Sequence, residues 1–194
     1  MKTYPSIFND CLSPVSPGPS SSNTAGPYRL GSMAVDLLEG KPSHLYIEMA
    51  KEGGYFATFY GMHSDKALKK DIRTYDFDQI YTDAESNDFS YTFEFTDSVP
   101  VKPSESAWLT LRSDNGDKIF VKTASLGGGE IIISEMDGIE TYIDGKFYFL
   151  LVRAATEKVS EVHTMLSCPF TTVDGGNGES LITARSREPL NSKL

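Results

Sequence analysis

The sequence predicts an α+β fold, an α/β sandwich in which helices lie on one face of an antiparallel or mixed sheet. Apolar residues recur at helical spacing near the N-terminus, and runs that alternate between apolar and polar residues follow. Asn-Gly and Asp-Gly pairs separate several of these runs, as in tight turns. With 194 residues, 39% of them hydrophobic, the chain is long enough to bury a substantial core.

The first helix is predicted from about Thr24 to Glu39, behind a loop rich in proline and serine. Its apolar residues fall on one helical face, and Gly40 ends it. We expect Asn23 or Thr24 to cap the N-terminus. Hydroxyl groups, an amide and backbone N–H groups would then lie at the positive end of a helix, which favours a small carboxylate or phosphate. The alternative is that these residues only cap the helix.

The next elements bring a second loop toward the first. Residues 45–49 and 55–60 are predicted to be strands, joined as a hairpin across residues 52–54. Ser64 is expected to cap a second helix that runs to about Ile72. Because both loops then precede helices, we expect the two helix N-termini to converge on one pocket.

The stretch from Asp71 to Asp97 is strongly acidic, with eight carboxylates against Arg73 alone. Spacing like that of a calcium-binding loop is found at Asp83, Glu85, Asn87 and Glu94. However, Asp88 occupies the position that needs glycine, and Glu94 lies in a period-two run typical of a strand. We therefore favour a solvated loop followed by a strand over residues 89–95.

Further strands are predicted at residues 108–111, 118–121 and 130–136, with turns at Asn115-Gly116 and Asp137-Gly138. A second unit begins near Lys146. It is predicted to contain a strand at 147–152, a helix at 157–166 and strands at 170–173 and 180–184. The helix is expected to turn its apolar side chains inward, namely Val159, Val162, Met165 and Leu166.

Charge and composition exclude several classes of function. The net charge of −9, with no basic cluster, argues against binding to nucleic acid or to anionic membranes. No apolar run approaches the roughly 20 residues of a membrane span, and no signal peptide is recognisable. We therefore expect a cytoplasmic protein whose partners are small molecules or another protein.

No familiar catalytic or metal-binding motif is present. The sequence lacks phosphate-binding and dinucleotide-binding glycine loops, a zinc-binding His-Glu-x-x-His helix and a Gly-x-Ser-x-Gly elbow. Cys11 and Cys168 are expected to be reduced thiols, and two cysteines are too few to hold an iron–sulfur cluster. Of the three histidines, only His63 lies beside one of the loops, whereas His163 is expected to be a partly buried packing residue.

Three motifs carry a family resemblance. Residues 7–8, 14–15 and 18–27 resemble the opening of the beta chain, or beta domain, of bacterial iron–sulfur-dependent L-serine dehydratases. Residues 54–68 are similar to the family segment that ends Gly-His-Gly-Thr-Asp-x-Ala-Leu, and residues 125–133 are similar to its Gly-Gly-Gly turn and strand. The chain departs from the family at both motif histidines, where it has Asn23 and Met62, and His63 stands at a glycine position.

The resemblance implies a beta chain without an active centre of its own. It implies no cofactor on this chain, and a partner alpha chain that holds a 4Fe-4S cluster. The complex would convert L-serine to pyruvate and ammonia. The alternatives are a stand-alone module that binds serine or a related small carboxylate, and a degenerate structural paralogue. Whether the chain forms a homodimer is left open.

The resemblance also divides the chain and marks its candidate site. Residues 1–145 would form the beta domain and residues 146–194 an incomplete ACT-like βαββ unit, in which no amino-acid site is expected. The loss of both motif histidines should weaken any carboxylate site about tenfold or more. The residues assigned to a ligand or a subunit interface are Ser20, Ser21, Ser22, Asn23, Thr24, Gly26, His63, Ser64 and Asp65.

Overall fold

The computed structural model describes residue 20 and residues 22–69, 90–103, 105–166 and 168–188. Its N-terminal part contains helix α1 (Ala25–Asp36), strand β1 (Pro42–Ala50) and helices α2 (Gly54–Thr58) and α3 (Ser64–Lys69). Strands β2 (Ser90–Thr96), β3 (Glu105–Ser113), β4 (Lys118–Gly127), β5 (Glu130–Met136) and β6 (Ile139–Ile143) follow. The C-terminal part contains β7 (Tyr148–Ala155), a 3-10 turn (Thr156–Lys158), α4 (Val159–Met165), β8 (Phe170–Asp174) and β9 (Glu179–Ser186).

Six strands form a mixed sheet in the order β2-β1-β3-β4-β5-β6. Strands β1 and β2 run parallel, which requires a crossover, and the chain between them includes α2 and α3. The remaining neighbours are antiparallel. Gly116 and Gly138 have φ angles of +91° and +86°, which suits the tight turns predicted at these two positions. The α+β fold class and these hairpins are therefore confirmed.

The hydrophobic core lies on one face of this sheet, and the helices cover that face. Side chains of a strand alternate between the two faces, and Leu45, Ile47 and Met49 of β1 are all at most 1% exposed. Residues of the three N-terminal helices and of the turns that follow α1 and α2 pack into the same cluster, namely Ala34, Leu38, Tyr55, Phe59 and Leu68. Removing these apolar surfaces from water stabilises the fold and fixes the helices, and hence their loops, relative to the sheet.

A second, antiparallel sheet has the strand order β7-β9-β8. Leu181 of β9 is fully buried and belongs to the same hydrophobic cluster as the six-stranded sheet. Phe149 and Leu151 of β7 pack against that cluster, and Arg153 forms an ion pair with Asp137 in the β5–β6 turn. The two sheets therefore share one core, while the division of the chain at residue 145 stays a prediction.

The strand predicted at residues 55–60 is wrong, because residues 54–58 form α2. Tyr55 and Phe59 are each 1% exposed, whereas Phe56 and Tyr60 are 52% and 63% exposed. Spacing of four residues places Tyr55 and Phe59 on one helical face, but it also satisfies the alternation of a strand. The sequence pattern therefore fits both structures, and packing against β1 and β3 selects the helix.

The predicted inward face of the C-terminal helix is confirmed only in part, because Val159, Val162 and Leu166 are half-buried. None of the residues of α4 is buried, and Met165 is 65% exposed. The helix is short and lies against the edge strand β7 rather than within the shared core, so it covers its apolar side only partly. The acidic segment of the calcium hypothesis lies largely outside the described residues, although the predicted strand is confirmed as β2.

Replacement of Leu181 by alanine tests whether the two sheets fold as one unit. We expect Leu181→Ala to lower the free energy of unfolding by about 2–5 kcal/mol, because it leaves a cavity in the shared core. The readout is denaturant unfolding followed by the fluorescence of Trp108, which lies in β3 of the six-stranded sheet. The control, Leu126→Ala, changes a side chain that is 48% exposed and should shift stability by less than about 0.5 kcal/mol. If Leu181→Ala does not shift the unfolding transition reported by Trp108 fluorescence, the two sheets unfold independently.

Candidate functional site

The first motif forms a compact polar turn in front of α1. The Asn23 side chain is 6% exposed, and its amide nitrogen donates hydrogen bonds to the hydroxyl oxygens of Ser20 and Ser22, both at 3.2 Å. These two hydroxyl oxygens are 3.1 Å apart. The Asn23 amide nitrogen therefore forms its hydrogen bonds within the turn.

Thr24 occupies the N-cap position of α1, but it does not cap the helix with its side chain. Its hydroxyl instead donates to the backbone carbonyl of Ser20 over 2.6 Å. The prediction of a capping acceptor at Asn23 or Thr24 is therefore wrong, because the Thr24 hydroxyl bonds back to the preceding turn and the Asn23 amide oxygen accepts from Thr58. Gly26 and Pro27 follow in the buried first turn of the helix, where a proline is tolerated.

The second motif meets the first at Asn23. The Thr58 hydroxyl, at the end of α2, lies 2.7 Å from Asn23 Oδ1 and 2.7 Å from the Gly54 carbonyl oxygen. Ser64, at the start of α3, is fully buried and donates from its hydroxyl to the Asn23 backbone carbonyl over 2.7 Å. The predicted convergence of the two loops is therefore present in the structure. We call the hydrogen-bonded set Ser20, Ser22, Asn23, Thr58 and Ser64 the polar junction.

His63 and Asp65 flank Ser64 in the second motif loop, and both are half-buried. His63 has a φ angle of +59°, a left-handed conformation that favours glycine. The family resemblance places a glycine at this position, so the backbone keeps the turn while the residue type has changed. Met62, at the motif histidine position, is also half-buried and offers no comparable donor.

The third motif is tied to α1 by Arg29. Its guanidinium group donates to the carbonyl oxygen of Gly129 over 2.6 Å and to that of Gly145 over 3.0 Å. Burial lowers the pKa of Arg29, while the carboxylates of Asp144 and Glu130 oppose this shift. A Cβ atom at Gly145 would lie 2.8 Å from the Arg29 guanidinium nitrogen, so this position requires glycine.

Tyr55 extends from α2 toward the third motif. Its hydroxyl is buried near Ser125 of β4 without forming a hydrogen bond to any residue that the structure describes. Burial raises the pKa of Tyr55, with a smaller contribution in the same direction from the charge of Glu105. The phenol therefore stays neutral and acts mainly through the packing of its ring, which contacts Phe59 edge to face.

The structure unites most of the candidate residues and adds others. It brings Ser20, Ser22, Asn23 and Ser64 into direct contact and leaves Thr24 and Gly26 at the start of α1. Ser21 lies outside the described residues. Thr58 and Arg29 are the functional positions that sequence reasoning missed. Thr58 was hidden in the supposed strand, whereas a lone arginine between the apolar positions of a predicted helix was a usable signal for Arg29.

The chemistry available at the polar junction is hydrogen bonding between neutral groups. The amide nitrogen and the amide oxygen of Asn23 both form hydrogen bonds to neighbouring residues. This geometry favours a structural role over binding of a free carboxylate. In the described part of the chain, no three His, Cys, Asp or Glu side chains are grouped to hold a metal ion. No helix described by the structure has the length and apolar character needed to cross a bilayer.

The fold and the junction together define a class of protein. It is an α+β chain in which motif loops from distant parts of the sequence meet on the helical side of one sheet. Comparison with known proteins then identifies the family within this class.

No family model matches the chain. It is 32% identical over 154 residues to the probable L-serine dehydratase, beta chain, of Bacillus subtilis (strain 168), which covers 77% of this chain and 68% of that protein. It is 26% identical over 165 residues to the L-serine dehydratase, beta chain, of Peptoniphilus asaccharolyticus, which covers 81% of this chain and 73% of that protein. The chain therefore belongs to the L-serine dehydratase beta-chain family, as the motifs predict.

Replacement of Arg29 by lysine tests the bond between helix α1 and the third motif. Arg29→Lys keeps the positive charge but cannot present the planar fork that reaches two carbonyl groups. We expect the free energy of unfolding to fall by about 1–3 kcal/mol, as measured by denaturant unfolding. The control, Arg112→Lys, alters an exposed residue of β3 and should change stability by less than about 0.5 kcal/mol. Equal effects of the two substitutions would contradict a structural role for the Arg29 fork.

Proposed function

We propose that this chain is the non-catalytic beta subunit of an iron–sulfur L-serine ammonia-lyase. It assembles with an alpha chain that holds the cluster and the active centre, and the complex converts L-serine to pyruvate and ammonia in the cytoplasm. The observation that carries the proposal is the convergence of three family motifs on one helical side of the sheet. Their polar groups bond to one another and so shape a subunit surface rather than a reaction centre.

The thiol content of the chain supports a cluster on another subunit. An iron–sulfur cluster is usually held by three or four thiolate ligands, and the sequence contains two cysteines. Cys168 is a free, half-buried thiol, and Cys11 lies outside the described residues. These residues do not fit the group, so no chemical step is assigned to this chain.

The departures at the motif histidines support assembly over ligand sensing. A charged histidine could donate to an anion, whereas the amide nitrogen of Asn23 bonds to the hydroxyl oxygens of Ser20 and Ser22. The neutral amide of Asn23 therefore forms contacts within the molecule at a position where a histidine could contact a ligand. We propose that the polar junction holds the α1 and α3 ends in the geometry that the partner subunit recognises.

We propose that the small sheet is part of an ACT-like unit. Its order β7-β9-β8, with α4 between β7 and β8, is consistent with the first part of a βαββαβ module. It packs on the beta domain through Leu181, Phe149 and Leu151. We propose a packing role for this unit rather than an amino-acid site.

Co-expression with an alpha chain of the same family tests the proposal. The affinity-tagged chain should co-purify with an untagged alpha chain, because its role is to form the complex. Iron and the conversion of L-serine to pyruvate should be found with the complex and not with the tagged chain alone. The alpha chain passed over the same resin without this chain serves as the control for adventitious retention.

Failure to co-purify would contradict the proposal, and thermal unfolding of the isolated chain would then distinguish the alternatives. A ligand that binds only the native state raises the midpoint of unfolding. An increase with millimolar L-serine would favour the stand-alone binding module. An unchanged midpoint together with failed assembly would favour a degenerate structural paralogue.

A further inference from the structure

A cleft of about 660 Å³ lies far from the polar junction, between the two sheets. Its walls are the C-terminal end of α1, the start of β4, the β5–β6 turn and strand β7. It is within the size range of ligand-binding cavities. No residue of the polar junction lines it. The residues of β7 that line it are Phe149, Leu150, Leu151, Val152 and Arg153.

Strand β7 is an edge strand. Among the strands that the structure describes, it pairs with β9 alone, so alternate residues direct their backbone N–H and C=O groups away from the sheet. Residues 148–152 have the sequence Tyr-Phe-Leu-Leu-Val. This run contains no proline and no charged residue that would block pairing with another strand. The opposite edge strand, β8, has the polar sequence Phe-Thr-Thr-Val-Asp instead. An apolar edge that borders a cleft is suited to accepting another extended strand.

The charges along the cleft indicate the charge of the strand that would bind there. Four carboxylates line it, from Asp36, Glu39, Asp117 and Asp137, against the two cations Lys118 and Arg153. Arg153 is paired with Asp137, and Asp117 accepts a hydrogen bond from the Glu39 backbone N–H over 3.0 Å. The remaining excess of negative charge favours a basic occupant. It also disfavours a second copy of this chain, whose own net charge is −9.

We propose that the cleft is a strand-addition site for an extended, basic segment of a partner protein. The segment pairs through its backbone with the edge of β7 that faces away from β9, and places apolar side chains beside Leu150 and Val152. Lysine or arginine at its ends faces Glu39 and Asp117. This inference goes beyond the proposed dehydratase subunit and does not depend on it, because the cleft and the polar junction share no residue.

Binding of a synthetic peptide tests the site. The probe is fluorescently labelled acetyl-Lys-Thr-Val-Thr-Val-Thr-Lys-amide, measured by anisotropy with the full chain at low and at physiological ionic strength. We expect saturable binding that weakens as salt rises, because part of the attraction is electrostatic. A peptide with glutamate in place of both lysines should bind at least tenfold more weakly.

Two controls separate strand addition from general attraction. In an extended peptide, alternate backbone N–H groups point to opposite edges. N-methylation of the residues on one edge should leave binding intact, because the peptide can pair with β7 through its other edge. N-methylation on both edges should abolish binding. Glu39→Gln should weaken binding severalfold, whereas Glu157→Gln removes the same charge outside the cleft and should leave it unchanged. Equal binding of the doubly methylated or acidic peptide, or no saturable binding, would overturn the proposal. So would a dimer of the chain that the peptide dissociates, because a second copy would then occupy the edge.

Discussion

The buried amide of Asn23 is the interaction on which the functional side of this molecule depends. A buried polar group is costly unless it is hydrogen-bonded, and Asn23 meets that requirement with partners from two distant segments. Its nitrogen bonds to the serine turn, and its oxygen accepts from Thr58, 35 residues further along the chain. The cost of leaving any of these groups unpaired therefore fixes the two motif loops together.

Arg29 joins the third motif to helix α1, again through hydrogen bonds of a polar side chain. Its guanidinium group is half-buried and keeps its charge at ordinary pH, and two backbone carbonyl groups of glycine turns accept its hydrogen bonds. Three stretches that are far apart in sequence thereby become one surface on the helical side of the sheet.

Much of the sheet was predictable, because strand alternation and turn residues are local signals. The hairpins at Gly116 and Gly138 needed only neighbouring residues to be recognised. The failures arise where two structures satisfy one pattern: the spacing of Tyr55 and Phe59 fits a helix and a strand equally well. Convergence of the loops was predictable from the order of elements, but the saturation of Asn23 was not, because its partner Thr58 lies in the segment that was assigned wrongly.

A double-mutant cycle between Asn23 and Thr58 measures the central interaction most directly. The free energy of unfolding is determined for the wild type, Asn23→Ala, Thr58→Val and the double variant, so that effects specific to either residue alone cancel. The structure predicts a coupling energy of about 0.5–3 kcal/mol between the two positions. The pair Asn23→Ala and Asn177→Ala provides the additive control, since Asn177 lies in an exposed turn of the small sheet. Strict additivity of Asn23 and Thr58 would contradict the account.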